Sequence, residues 1–252
     1  MLDLRQQRCA IGSWVSAVVG RCLQEVVWRA GLLVYRRWFS LRVHGRHHLP
    51  SRGPYLLVSN HASHLDGPAI LAAHGKHYRR VFSLGARDYF FRGSVRSWIS
   101  TYLLNMVPID RRRPDFSAVN RCRQIADRGE IILMFPEGTR SPTGELQPFK
   151  LGLGLIAQRL GIAIVPVFVH GTFEALPKGA AAPKRRRIDV IFGEPIGGAP
   201  ARTAPHRLSY LETAAEVFHA VSALRITLVE SLRGGKRVME WDRAPLPQYL
   251  LP

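Results

Sequence analysis

The segment Glu130-Ile131-Ile132-Leu133-Met134-Phe135 follows a turn at Arg128-Gly129 and stops at Pro136. Its apolar residues run without polar alternation, the pattern of a central parallel strand covered on both faces. Such a strand commits the chain to a sheet with helices on each side. Tyr55–Ser59 reads as a second buried strand, and Arg80–Leu84, Met106–Ile109, Ile162–Val169 and Ile188–Phe192 as further strands. Between them, Leu65–Ala73, Gly93–Leu104, Pro114 through Ala126 and Leu151–Leu160 read as helices, and 203–233 as largely helical. The alternation predicts an α/β fold with a mixed, largely parallel sheet covered by helices, and leaves strand order open. No Pro/Gly/Ser linker divides the 252 residues. The expected organisation is one α/β domain over 41–252, including the carboxyl-terminal helix, behind a helical segment at 1–40.

Chemistry-bearing residues follow two of these strands. Beyond Tyr55–Ser59 stands Asn60-His61-Ala62-Ser63-His64-Leu65-Asp66. Inside one regular helix, His61 and Asp66 would lie about 140 degrees apart, so His61 is better placed in the turn ahead of the helix. Chain reversal then brings the side chains together. A carboxylate on one imidazole nitrogen fixes the tautomer and leaves the other nitrogen to take a proton from an alcohol, with no serine or cysteine nucleophile. A plainer account also fits: Ser63-His64-Leu65-Asp66 matches a capping box, with Ser63 as N-cap and Asp66 at the third helical position. His64 suits a cap or a pocket wall.

Beyond Pro136, Glu137, Gly138, Thr139 and Arg140 occupy the loop at a strand's carboxyl end, where open α/β sheets keep their ligands. An arginine there can hold phosphate through a planar fork of donors, and a glutamate can accept from a substrate hydroxyl. An Arg-Glu surface pair beside a glycine turn would account for the same residues without a ligand.

Taken together, these blocks resemble the glycerolipid acyltransferases of the 1-acylglycerol-3-phosphate acyltransferase type. Asn60, His61 and Asp66 match that family's first motif, and Phe135 to Ser141 match its Phe-Pro-Glu-Gly-Thr-Arg-Ser motif without a gap. Asn105 to Arg111 looks like its substrate-binding block, with Arg111 at the basic position. Phe149-Lys150 with Gly152, then Ile164 to Val167, then Gly193 to Ile196 look like the sequel. The resemblance spans roughly residues 40 to 200. It implies that His61 is the general base and Asp66 its orienting partner. It further implies that Glu137 helps position the acceptor, in a loop with Gly138 and Thr139, while Arg111, Arg140 and Lys150 face its phosphate. Two departures bear on the acceptor: His64 stands where the family often carries an aromatic residue, and Arg111-Arg112-Arg113 is unusually basic.

Thirty-six basic residues against eighteen acidic ones leave a net charge of +18, which suits an anionic surface. Membrane is favoured over nucleic acid, because basic residues near the start alternate with large apolar ones. Trp14, Val15, Val18, Val19, Cys22, Val26 and Val27 can share a helical face, and Leu32, Leu33, Tyr35, Trp38 and Phe39 surround Arg36 and Arg37. These read as interfacial helices, although two helices packed on the domain itself would also fit. The uncharged stretch from Cys9 to Gly20 falls short of the roughly 20 residues that cross a bilayer. No secretory signal is evident either. Lys184-Arg185-Arg186-Arg187 fits lipid phosphates or an exposed turn equally well, and no nucleic-acid-binding pattern accompanies it.

Cys9, Cys22 and Cys122 have no paired spacing, which reads as a reducing compartment, and neither they nor His44, His47 and His48 form a metal motif. Gly152-Leu153-Gly154 lacks the dinucleotide fingerprint. No bound cofactor is expected. The expected function is transfer of a fatty acyl group from acyl-CoA or acyl-carrier protein, as substrate, to a lysophospholipid hydroxyl at the cytoplasmic face of a membrane. Acylation of glycerol 3-phosphate or of a non-phosphate lipid, lipid hydrolysis, and non-enzymatic membrane binding are the alternatives.

Overall fold

The computed structural model describes residues 22–75, 78–110, 116–197 and 210–234. A first helix, α1, covers 22–37. Then come β1 (Arg42–His44), β2 (Tyr55–Ser59), α2 (Asp66–His74), β3 (Val81–Ala86) and α3 (Arg87–Phe90). They are followed by α4 (Ser94–Trp98), β4 (Met106–Ile109), α5 (Phe116–Asp127), β5 (Ile131–Met134) and α6 (Gly152–Leu160). The chain continues through β6 (Ala163–His170), α7 (Thr172–Ala175), β7 (Asp189–Phe192) and α8 (Tyr210–Gly234).

The sheet order is β1-β7-β6-β2-β5-β3-β4. Neighbours pair parallel except at β6 and β7, so β7 and β1 run against the other five. The sheet is therefore mixed and largely parallel, as the sequence predicts. The antiparallel step has a simple cause: β7 returns from the loop at the carboxyl end of β6 without crossing the sheet, and a parallel partner would need such a crossover.

Strand periodicity divides the core into two layers. Leu57, Leu133, Val165 and Val167 pack with α1 and α2 on one face. Leu56, Val58, Ile132 and Met134 pack with α5, α6 and α8 on the other. Burial on both sides is why these strands carry no polar alternation. Gly154 has a steric reason: a Cβ there would meet the Tyr210 carbonyl oxygen at 2.0 Å, so only glycine lets α8 cross α6 this closely.

Three expectations change. Arg42–His44 forms an unforeseen edge strand held by β7. The helix expected over Gly93–Leu104 is α-helical only through Trp98 and continues as a π turn over Ile99–Leu103. The apolar group at the end of α1 also splits. Leu32, Tyr35 and Phe39 enter the core, whereas Leu33 and Trp38 face outward with Val26 and Val27. Trp14, Cys9, Arg111, Pro114 and 203–209 lie outside the described residues. Among those described, no helix is long and apolar enough to cross a membrane.

Candidate active site

Register accounts for the meeting of the two motifs. β2 and β5 are neighbours, pairing Leu56 with Ile132, Leu57 with Leu133 and Val58 with Met134. Continued past the strand ends, this offset sets His61 opposite Glu137. The His61 backbone N–H donates to Glu137 Oε1 at 2.9 Å, and the Ser141 N–H donates back to the His61 carbonyl at 2.7 Å. The loop after β5 is thus fastened to the His61 peptide from both sides.

Asn60 ends β2. Its Nδ2 donates to the Val169 carbonyl at 2.9 Å, and its Oδ1 accepts from the Val169 N–H at 2.8 Å. The side chain thereby continues the pairing with β6 while the main chain turns away into His61. A buried asparagine with satisfied donors and acceptors makes a rigid pivot. The only sequence signal for it is an amide residue closing an apolar strand.

His61 lies against the Phe135 ring, with centroids 4.3 Å apart, and its Nδ1 is 2.9 Å from Asp66 Oδ2. The same oxygen accepts from the Ala62 N–H at 2.7 Å and the Ser63 N–H at 2.8 Å. A carboxylate surrounded by donors makes Nδ1 the protonated nitrogen, so Nε2 carries the lone pair. The imidazole is 19% exposed and the Asp66 side chain fully buried. The ring is therefore open to solvent, and the acid behind it is not.

The capping and catalytic readings of Asp66 converge on one oxygen. Asp66 is the first residue of α2 rather than its third, and Ser63 does not act as a simple N-cap. Ser63 Oγ accepts from the Leu65 N–H at 3.2 Å and donates to the Leu176 carbonyl at 2.7 Å, tying the turn to the loop after α7.

Glu137 was expected to accept from a substrate hydroxyl. The structure places it inward, 4% exposed, beneath the His61 peptide. Burial pushes its carboxyl up to about 8, helped by the nearby Asp66 and opposed by the His61 and Gln147 backbone N–H groups. Oε2 has no hydrogen-bond partner among the described residues. The sign of the linkage follows. Between pH 4.5 and about 8 the folded protein keeps a proton that the unfolded chain releases, so stability falls as pH rises through that window. Glu137→Gln removes this titration. Its urea midpoint should be flatter with pH than wild type over that window, whereas parallel curves would show that Glu137 is already ionised in the fold.

Gly138 has φ +74, and a Cβ there would stand 2.6 Å from Lys150 Nζ, so Lys150 lies directly across the turn. Its backbone N–H donates to the Pro136 carbonyl at 3.0 Å. Thr139 is exposed and Arg140 half-buried. Neither Arg140 nor Lys150 has a carboxylate partner among the described residues, so the alternative account of this loop, an Arg-Glu surface pair without a ligand, does not describe it. His64 forms a wall: its Nε2 is 3.1 Å from Tyr89 Oη, and its ring meets Tyr89 and Phe90. Burial, then Arg140 and His61, hold its pKa below the ordinary histidine value. Arg111 lies outside the described residues.

The two hydroxyls nearest the imidazole in sequence are engaged elsewhere, Ser59 Oγ on Asn60 Oδ1 and Ser63 Oγ on the Leu176 carbonyl. A histidine held by a buried carboxylate at the carboxyl edge of a largely parallel sheet, with two cations on the adjoining loop, is an arrangement that can do general-base chemistry on an anionic substrate. The chain belongs to the acyltransferase family, whose model matches residues 40–170. It is 31% identical over 168 residues to a chloroplastic 1-acyl-sn-glycerol-3-phosphate acyltransferase of Arabidopsis thaliana, covering 65% of this chain and 46% of that one. With the human 1-acyl-sn-glycerol-3-phosphate acyltransferase alpha it shares 31% identity over 159 residues, covering 61% and 54%. The chain thus spans about half the length of these relatives. Its fold resembles that of the 1-acyl-sn-glycerophosphate acyltransferase PlsC from Thermotoga maritima, with a TM-score of 0.60 at 22% identity, covering 80% and 81%.

Proposed function

We propose that this protein transfers a fatty acyl group from acyl-CoA or acyl-carrier protein to the hydroxyl of a lysophospholipid, with 1-acylglycerol 3-phosphate as the preferred acceptor. The observation that carries the reading is the 2.9 Å contact between His61 Nδ1 and Asp66 Oδ2, which leaves Nε2 for the substrate. Nε2 takes the hydroxyl proton as the alcohol oxygen attacks the thioester carbonyl. Asp66 stabilises the imidazolium that forms. Collapse of the tetrahedral intermediate breaks the C–S bond and expels the thiolate, which recovers the proton from His61. The products are the ester and the free thiol.

Within this reading Glu137 holds the His61 peptide, and Arg140 and Lys150 receive the acceptor phosphate, with Arg111 as a third candidate. The names of the relatives support the acceptor class. The outward apolar residues of α1 among its arginines support a peripheral or monotopic place on an anionic membrane. This reading takes the site to be on the cytoplasmic face, the side from which it draws the thioester donor.

The test is acceptor-dependent thiol release with the acylated lipid identified by mass spectrometry, across lysophospholipids, glycerol 3-phosphate and a neutral lyso-lipid. Thiol release without an acceptor would make the protein a hydrolase instead. In the same assay, Arg140→Gln should raise KM for the phosphate acceptor on the order of 10- to 100-fold, the worth of a charge-assisted hydrogen bond, and change the neutral analogue little. Equal losses on both would assign Arg140 to the donor or to the fold.

A further inference from the structure

The basic run Lys184 to Arg187 does not act as a unit. Arg187 turns inward and holds Asp189 through two contacts, Nε to Oδ2 at 2.7 Å and a second nitrogen to Oδ1 at 2.8 Å. Asp189 also meets His44 Nε2 at 3.0 Å, which completes a structural cluster at the β1–β7 edge. Lys184, Arg185 and Arg186 are exposed, and no carboxylate pairs with them among the described residues. Arg185 instead lines a shallow open depression of about 450 Å³ with Leu33, Val34, Arg37 and Trp38 from the end of α1.

Two features give this depression an occupant. First, its chemistry is mixed: two guanidinium groups, Arg37 and Arg185, with no carboxylate partner among the described residues stand beside Leu33 at 58%, Val34 at 47% and Trp38 at 48% exposure, and Val26 and Val27 extend the apolar stripe along α1. An acidic protein would answer the arginines but leave that stripe in water, whereas a phospholipid answers both, its phosphate the arginines and its chains the stripe.

Second, the depression lies at the carboxyl edge of the sheet, the same edge that carries His61. The loop bearing Arg185 leaves the carboxyl end of β6 and receives the Ser63 hydroxyl at Leu176. The Ile188 N–H donates to the Phe39 carbonyl at 3.0 Å, and the Tyr35 hydroxyl donates to the Leu65 carbonyl at 2.8 Å. Both walls are therefore bonded into the turn that carries His61 and Asp66.

We propose that the depression formed by Leu33, Val34, Arg37, Trp38 and Arg185 binds the headgroup phosphate of an anionic phospholipid. This site is separate from the acceptor's phosphate loop, and it seats the catalytic edge of the sheet on the bilayer. It rests on the membrane-surface part of the proposed function but needs no turnover. The apolar residues enter the acyl boundary while Arg37 and Arg185 clamp the phosphate from α1 and from the loop.

The experiment is flotation of the full chain with vesicles of phosphatidylglycerol and phosphatidylcholine, against vesicles of phosphatidylcholine alone. Arg37→Gln with Arg185→Gln should weaken partitioning to the anionic vesicles roughly 20- to 30-fold. Arg52→Gln with Arg123→Gln, which removes the same charge far from the depression, should change it by less than about 3-fold. Trp38→Ala should abolish the part of binding that survives high salt, with thermal unfolding checking that each variant is folded. Turnover on a detergent-soluble acceptor should stay near wild type in all of them.

Wild-type binding to anionic vesicles by the folded Arg37/Arg185 variant would overturn the site while leaving membrane association intact. Failure of the wild-type chain itself to float would overturn both, and the thiol-release assay would still judge acyl transfer. Loss of turnover only with an acyl-carrier-protein donor, with vesicle binding unchanged, would make the depression a protein dock and overturn the lipid assignment.

Discussion

Replacing His61 with alanine should lower single-turnover acyl transfer on the order of 100- to 10,000-fold, the usual cost of losing a general base. The fold should survive, because the side chain contributes little to it. Asp66 Oδ2 keeps its donors from the Ala62 and Ser63 N–H groups, and the contacts through the His61 N–H and carbonyl belong to the main chain. The lost partners are Asp66 and the Phe135 ring, worth together about 1–3 kcal/mol of stability. Parallel thermal unfolding and single-turnover measurement decides the point. Transfer near the wild-type rate by a folded His61→Ala sample would end the base assignment, and transfer would then need another proton acceptor.

The second large effect belongs to Asp66→Asn. An asparagine keeps an oxygen that can accept from the Ala62 and Ser63 N–H groups, so the helix start is largely preserved. The charge facing the imidazole is lost. If the amide nitrogen turns toward His61 Nδ1, it donates there, moves the imidazole proton onto Nε2 and removes the lone pair that the reaction uses. Turnover should fall on the order of 100- to 10,000-fold. Stability should fall by about 1–3 kcal/mol, the scale of weakening hydrogen bonds to a charged acceptor. A pure helix-start role predicts the reverse, a stability loss with transfer intact, and wild-type transfer by the variant would establish it.

The two substitutions probe parts of the site that differ in how readily the chain reveals them. His61 and Asp66 are local: five residues and one turn bring them together, so their pairing follows from helix geometry. Glu137 is not local. Its meeting with the His61 N–H depends on β2 and β5 being neighbours in a set register, and strand order cannot be read from the alternation of elements. An exposed loop glutamate and a buried one also look alike in sequence, which is why the carboxyl expected to face a hydroxyl lies under the base instead.

The amino acids alone determined the doubly covered sheet. Leu57, Leu133 and Val165, with Leu56, Val58 and Ile132, can be apolar on successive positions only if both faces of the strands are buried. They also marked where the chain turns at the two strand ends, because glycine and proline act over a few residues, but the capping box read at Ser63 to Asp66 gave way to Asp66 Oδ2 accepting from the Ala62 and Ser63 N–H groups. Tertiary structure decided what depends on distant neighbours. Arg42–His44 is a strand because β7 offers it an edge, not because three residues prefer that form. Arg187 is structural, while Arg185 has no carboxylate partner among the described residues, because Asp189 lies within reach of the first. Of the apolar residues on α1 and just after it, Leu32, Tyr35 and Phe39 were taken by the core while Val26, Val27, Leu33 and Val34 were left outside. That choice rests on where the helix lands on the sheet: hydrophobic burial has no direction of its own, and only packing selects which apolar face it covers.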